Sequence, residues 1–311
     1  MLIILRRIPS DLIEYINNNF RYPVGIIGCR ATNPEMSFDC CEYDIAIFNG
    51  KSQGNRFVRL GDHGLELIAQ KTISIIDILN LYNMTIIQDN DSLILSSSSS
   101  SFNKISAFQH YLTVLRGFGK KSIISSLFYH EKITKSIQKN SVLAGMWLKI
   151  AAYDFLKGIL ALSEIKPMPI HELDQIRTIT VERQEIADGI KIALECIGLE
   201  RATRSTISRC AEGIYELNSS EYDKELIRIK INHLLRKGMV SDCYYYLGKI
   251  GYRCLTEKDH RFLSTYMKLI QISMDLTKDM QQLERLQSNL VKTSKAILNK
   301  LSYYYSGCNR L

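Results

Sequence analysis

Two carboxylates two residues apart, Glu42 and Asp44, lie in the stretch VGIIGCRATNPEMSFDCCEYDIAIF, residues 24–48, with the apolar Ile45, Ala46, Ile47 and Phe48 directly after them. On a β-strand, side chains at i and i+2 share a face. Glu42 and Asp44 therefore project together, while Tyr43 and Ile45 turn the other way. Two like charges side by side repel unless a cation lies between them. A hard ion such as Mg²⁺ is bound by one or two carboxylates together with water and substrate phosphate. The chemistry these residues suit is that of a metal–phosphate site. An acidic-x-acidic triplet also describes solvated acids at a strand's edge, so the preceding residues matter. Val24–Ile27 is a short apolar run that suits a buried strand, and Gly28-Cys29-Arg30-Ala31 marks a turn with a helix start beyond it.

This order of strand, Gly-x-Arg-Ala turn and acidic-x-acidic strand resembles the DNA polymerase β-like nucleotidyltransferase superfamily, its small bacterial and archaeal members in particular. Gly28, Arg30, Ala31 and Asp44 match that pattern. Cys29 stands where serine is usual and Glu42 where aspartate is commoner, and the loop between turn and carboxylates lacks the usual second glycine. The resemblance covers residues 20–75, less than a fifth of the chain. It implies an α+β fold in which a small mixed β-sheet domain is followed by a large all-α helical region. It also implies transfer of a nucleoside monophosphate from an NTP to a hydroxyl acceptor, with Mg²⁺ or Mn²⁺ held by Glu42, Asp44 and a third carboxylate on a neighbouring strand. Glu66 in Leu65–Ala69 is the best placed for that role, ahead of Asp62 and Asp77. The backbone at Gly28 and Cys29 would hold phosphates at the start of the following helix, and Arg30 would add a charged hydrogen bond. The altered Cys29 and Glu42 also fit a catalytically inactive binding or assembly module on the same fold.

The elements that must position these residues follow from local pattern. Residues 8–20, IPSDLIEYINNNF, read as a short helix capped by Ser10 or Asp11. Residues 49–55 are a turn by composition, leading to a strand at Arg56–Leu60. Gly61-Asp62-His63-Gly64 reads as a second turn, with His63 more a turn residue than a ligand. A short helix at Ile75–Tyr82 and a strand at Met84–Gln88 follow, then a run of six serines, Ser96 to Ser101. Such a tract has little to bury and marks the expected boundary between residues 1–101 and 102–311.

Beyond it the periodicity is helical nearly throughout. Gly117 and Gly119 suggest the end of a first helix before a second at 120–139. Residues 141–163 are apolar almost all round, the pattern of a central helix buried on most sides, with Trp147 in the core. Further helices are expected at 181–198, 200–217, 221–237 and 239–254. From Thr256 the pattern runs to about Tyr304 without proline or glycine, which suggests one long helix suited to packing or to a homo-oligomer interface. Two sub-bundles are one way to divide this region. Arg253 and His260 have a spacing found in ribonuclease motifs, a pairing that chance also produces.

The formal charge of +8 over 311 residues is unevenly spread: residues 1–104 carry −2 and residues 105–311 carry +10. A basic helical half suits an anionic partner, with Arg201, Arg204 and Arg209 concentrated on one expected helix. A solvated lysine-rich surface has the same composition, and a nucleic-acid-binding protein using that half is a third functional reading. The acceptor, whether small molecule, RNA or protein, is not encoded in any motif. Apolar stretches fall well short of a membrane span. MLIILRRIPS has its basic pair after the apolar residues, the wrong order for a secretory signal. Eight cysteines without a zinc spacing are therefore expected as reduced thiols in the cytoplasm. Cys29, at a helix start, is the one whose thiol could be acidified.

Overall fold

A computed structural model describes residues 8–31, 40–48, 56–61, 63–70, 79, 84–89, 104–179, 184–218, 221–256 and 258–308. The fold is α+β, with a five-stranded mixed sheet near the N-terminus and helices after it. The chain forms two compact units, one of residues 1–114 with 225–233, the other of residues 115–224 with 234–311. The serine tract, the 49–55 turn and the expected helix at Ile75–Tyr82, apart from Leu79, lie outside the described residues.

In the first unit, helix α1 (Ser10–Asn19) precedes strand β1 (Val24–Ile27), a 3₁₀ turn (Gly28–Arg30) and strands β2 (Glu42–Phe48), β3 (Arg56–Leu60), β4 (His63–Gln70) and β5 (Thr85–Gln88). The sheet order is β3-β4-β2-β1-β5. β2 is central, antiparallel to β1 and parallel to β4. Period-2 alternation divides the sheet cleanly. Val24, Ile26, Tyr43, Ile45, Ile47, Leu65 and Leu67 form one face, which α1 covers with Leu12 and Ile16. Ile27, Ala46 and Phe48 begin the core of the other face, with Ile68, Met84 and Ile86 against them. Glu42, Asp44 and Glu66 fall by alternation on this second face.

Several local expectations are corrected. Neither Ser10 nor Asp11 caps α1: Pro9 is the N-cap residue and makes no side-chain bond, while Asp11 Oδ1 accepts from the Leu12 N–H inside the first turn. His63 and Gly64 are not turn residues but the start of β4, because β3 and β4 pair as a hairpin down to Leu60↔His63.

In the second unit the central element is α3 (Leu143–Leu162), buried at nearly every position, Trp147 included. Helix α2 (Lys104–Gln138) does not stop at Gly117 and Gly119 but runs through both. Gly119 is instead a point of close approach. A Cβ there would lie 3.0 Å from the Gly158 carbonyl oxygen, and one on Gly158 would lie 2.9 Å from that of Gly119. The remaining helices are α4 (Glu172–Thr178), α5 (Gln184–Ile197), α6 (Arg204–Leu217), α7 (Glu221–Arg236), α8 (Val240–Leu255), α9 (His260–Thr265), α10 (Met267–Ser273) and α11 (Met280–Cys308). α5 and α11 pack on α3 and on each other, and α6 packs on α8 and α10. Tyr244, Tyr245 and Tyr246 are all core residues.

The single long helix expected from Thr256 is three. Tyr266 separates α9 from α10, and after Met274 the chain turns at Asp275, whose φ of +47° is left-handed. Aspartate is among the few residues besides glycine that enter this region readily. Asp279 then restarts the helix, its Oδ1 accepting from the Gln282 N–H at 2.9 Å. Arg201 lies in a 3₁₀ turn (Leu199–Arg201), not on the helix with Arg204 and Arg209. No helix among the described residues is long and apolar enough to cross a membrane.

Candidate functional site

The parallel pairing of β2 with β4 puts Asp44 directly beside Glu66, with Glu42 opposite Gly64. Directly opposed residues on neighbouring strands bring their Cβ atoms to roughly 5 Å. Carboxylate oxygens of Glu42, Asp44 and Glu66 lie within 4.8 Å of one another. The three residues proposed from sequence as one cluster are thus together on one face. Asp62 and Asp77, the weaker alternatives to Glu66, lie outside the described residues.

Gly28 follows β1, where Ile27 is the partner of Asp44. Its φ is +76°, and a Cβ there would stand 2.0 Å from Asp44 Oδ2. The glycine is therefore needed twice, for a left-handed backbone and for space beside the carboxylate. The resemblance implies a phosphate against the Gly28 backbone; the close approach the structure holds is to Asp44.

Glu42 is 3% exposed, and its two oxygens face different partners. Cys41 donates to Oε2 at 2.6 Å, and Lys230 of α7 sets its ammonium 2.8 Å from Oε1. Residues 225–233 of α7 belong to the same compact unit as the sheet. Burial pushes the Glu42 carboxyl up, against the opposing pull of Lys230. It pushes Asp44 up strongly; Lys230 again opposes, while Glu42 and Glu66 repel the second charge. Glu42 and Asp44, both held back from ionisation by burial, are a pair that a positive charge would complete. The chain supplies one such charge itself.

Lys230 was not singled out from the sequence, although a signal was present. In EYDKELIRIKINHLLR it falls four residues after Leu226, three after Ile227 and four before Leu234, all buried. A lysine on the apolar stripe of an amphipathic helix needs a buried partner. Which partner could not be read locally.

Arg30 and His63 are placed elsewhere. The Arg30 guanidinium lies 4.3 Å from the centre of the Tyr43 ring, donates to the Tyr43 hydroxyl at 3.1 Å and bonds the Cys40 carbonyl. His63 meets the same ring edge-on at 5.5 Å. Tyr43 is on the face opposite the carboxylates, so both residues brace the sheet from behind. The Cys29 thiol is buried, and its hydrogen bond with Cys40 and then burial push its pKa up, not down. Its proton is held by a neighbouring sulfur, which overrides any effect of the short turn it begins. In the helical unit, Arg201 lies 3.1 Å from Asp275 and Arg209 4.0 Å from it. Arg204 and Arg209 remain exposed.

No family model matches the chain. No curated protein matches it either. Among solved structures it is similar to a nucleotidyltransferase-like protein from Exiguobacterium sibiricum 255-15, at 13% identity over 93% of this chain and 91% of that one, with a TM-score of 0.36. Neither figure reaches the level at which a shared fold or activity can be argued. The functional reading rests on the site itself.

Proposed function

We propose that the sheet unit is a metal-dependent nucleotidyltransferase that passes a nucleoside monophosphate from an NTP to a hydroxyl acceptor. The observation that carries the reading is the gathering of Glu42, Asp44 and Glu66 on one face of adjacent strands, with the turn at Gly28 closed directly against Asp44. The donor set is all hard oxygen, which suits Mg²⁺ or Mn²⁺. These three carboxylates would hold the ion. When bound, such an ion neutralises triphosphate charge and lowers the pKa of an attacking hydroxyl.

The chain's own contributions follow from the geometry. Pairing of Asp44 with Ile27 and Glu66 fixes the direction of its carboxylate, and Gly28 leaves it room. Backbone N–H groups at Gly28 and Cys29 are the proposed phosphate contacts. Arg30, engaged with Tyr43 and Cys40 on the other face, serves to hold the turn and is not assigned a phosphate. Arg204 and Arg209 are the residues with which the helical unit would meet an anionic acceptor.

Two observations favour a second reading, an inactive binding module: Lys230 already compensates Glu42, and a thiol at Cys29 replaces the serine of the resembled pattern. Incubation with labelled NTPs, Mn²⁺ or Mg²⁺ and a cell extract separates the two. Transfer or cation-dependent NTP binding by the parent, lost in Asp44→Asn, supports the enzyme. Absence of both in the parent supports the module, and an unchanged Asp44→Asn protein removes the carboxylates from either account.

A further inference from the structure

The sequence spaces Cys29 far from the adjacent pair Cys40-Cys41, and no zinc pattern links them. Strand pairing brings them to one place. Because β1 and β2 are antiparallel with Ile27 opposite Asp44, the residues after Ile27 and those before Asp44 share one end of the sheet. Arg30 fixes the spacing there, since it follows Cys29 in the turn and bonds the carbonyl of Cys40. The sulfurs of Cys29 and Cys40 lie within 4.8 Å, as do those of Cys40 and Cys41 and a carboxylate oxygen of Glu42.

We propose that Cys29, Cys40, Cys41 and Glu42 form a binding site for a thiophilic divalent cation of the Zn²⁺ class. Zinc favours four tetrahedral ligands, with Zn–S near 2.3 Å and Zn–O near 2.1 Å. Ligand atoms around such a centre stand roughly 3.5–3.8 Å apart. Cys40, Cys41 and Glu42 among themselves, and Cys29 against Cys40, need to close by about 1 Å to reach that geometry, and Cys29 must in addition swing toward Cys41 and Glu42. Sulfur separates this site from the carboxylate cluster, since thiolates select Zn²⁺ where carboxylates suit Mg²⁺. Three thiolates and a carboxylate around Zn²⁺ carry net negative charge, and Lys230 on the other oxygen of Glu42 offsets part of it.

Glu42 is common to both donor sets. An ion held by the cysteines would hold Glu42 through Oε2, the oxygen that Cys41 contacts. The sulfur site requires no nucleotidyl transfer, so it can hold or fail independently of the proposed activity.

The test uses the full-length protein, reduced and stripped of metal, with Co²⁺ and Zn²⁺ as probes. One equivalent of Co²⁺ should give the intense visible absorption of a tetrahedral thiolate complex, lost on adding one equivalent of Zn²⁺. Because ligand thiols lose their protons on binding, calorimetry in buffers of different ionisation enthalpy should show about three protons released per Zn²⁺. Cys40→Ser should lower Zn²⁺ affinity more than tenfold, whereas Cys196→Ser, altered in a helix of the other unit, should not. The weak absorption of an octahedral oxygen site, or release of less than one proton per Zn²⁺, would overturn the proposal. So would parental affinity in Cys40→Ser. Should that variant fail to fold, the cobalt spectrum and proton count of the parent still decide.

Discussion

Lys230 holds its ammonium 2.8 Å from Oε1 of Glu42, a carboxylate of the proposed cation cluster. A lysine and a metal ion compete for that oxygen. Removing one member of a buried ion pair leaves the other uncompensated, at a cost of about 3–5 kcal/mol. Lys230→Met should therefore melt at a lower temperature without metal, yet bind Mn²⁺ at least tenfold more tightly than the parent. Added Mn²⁺ should restore much of the lost stability, by mass action. Calorimetric titration and thermal melts with and without Mn²⁺ read both effects. If the variant binds Mn²⁺ no better and recovers nothing from it, the carboxylates are not a cation site and Lys230 is simply their partner.

Gly28 offers a test of why a glycine stands there. A Cβ would collide with Asp44 Oδ2, and a φ of +76° strains any other residue by about 1–3 kcal/mol. Gly28→Ala should lower stability, and part of the loss should vanish in an Asp44→Ala background. A coupling of about 0.5–3 kcal/mol is expected from urea unfolding of the four proteins. Additive losses would show that Asp44 does not set the requirement. If nucleotide binding falls with no loss of stability, the glycine serves a phosphate instead.

The β-part was legible because alternation needs only neighbouring residues: VGII, the Glu42/Asp44 pair and Glu66 each occupy the strand and face their pattern implies. What escaped depends on distant partners. The ammonium on Glu42 comes from α7, and the three sulfurs meet through antiparallel pairing. The break at Asp275 carries neither glycine nor proline, so helical periodicity alone runs through it. Conversely, Gly117 and Gly119 look like stops, but α2 passes both.

Gly117 and the helix contact at Gly158 differ in a way that can be measured. Gly117 is exposed, and a methyl added there would have nothing within 4 Å, whereas a methyl on Gly158 would stand 2.6 Å from Ile123 Cγ1 and 2.9 Å from the Gly119 carbonyl oxygen. Gly117→Ala should stabilise the helical unit by about 0.5–1 kcal/mol through helix propensity. Gly158→Ala should destabilise it by about 1–3 kcal/mol, since backbone cannot move aside as a side chain does. Urea midpoints shifting the same way in both proteins would contradict the close approach of α2 and α3.

Lys149 gives the helical unit a distinct dependence on pH. It is 3% exposed within α3, donates to the Met274 carbonyl at 2.7 Å and to the Tyr244 hydroxyl at 3.0 Å, and Tyr244 in turn bonds Asp275. Burial, helped by nearby Arg201 and opposed by Asp275, Cys210 and Glu200, lowers its pKa to about 7. In the unfolded chain the same amine titrates near 10.4. Between these values the unfolded state holds the proton that the folded state has released, so stability rises with pH, by at most about 1.4 kcal/mol per unit. Below pH 7 the folded protein must carry the charge indoors, and the full penalty applies. Lys149→Met removes the titration but leaves the Met274 carbonyl without its donor, a pH-independent loss of about 1–3 kcal/mol. The difference in unfolding free energy between parent and variant should therefore move in the parent's favour from pH 7 to pH 9.5. Parallel curves across that range would mean that Lys149 keeps its charge in the folded protein, with Asp275 as its effective counter-ion.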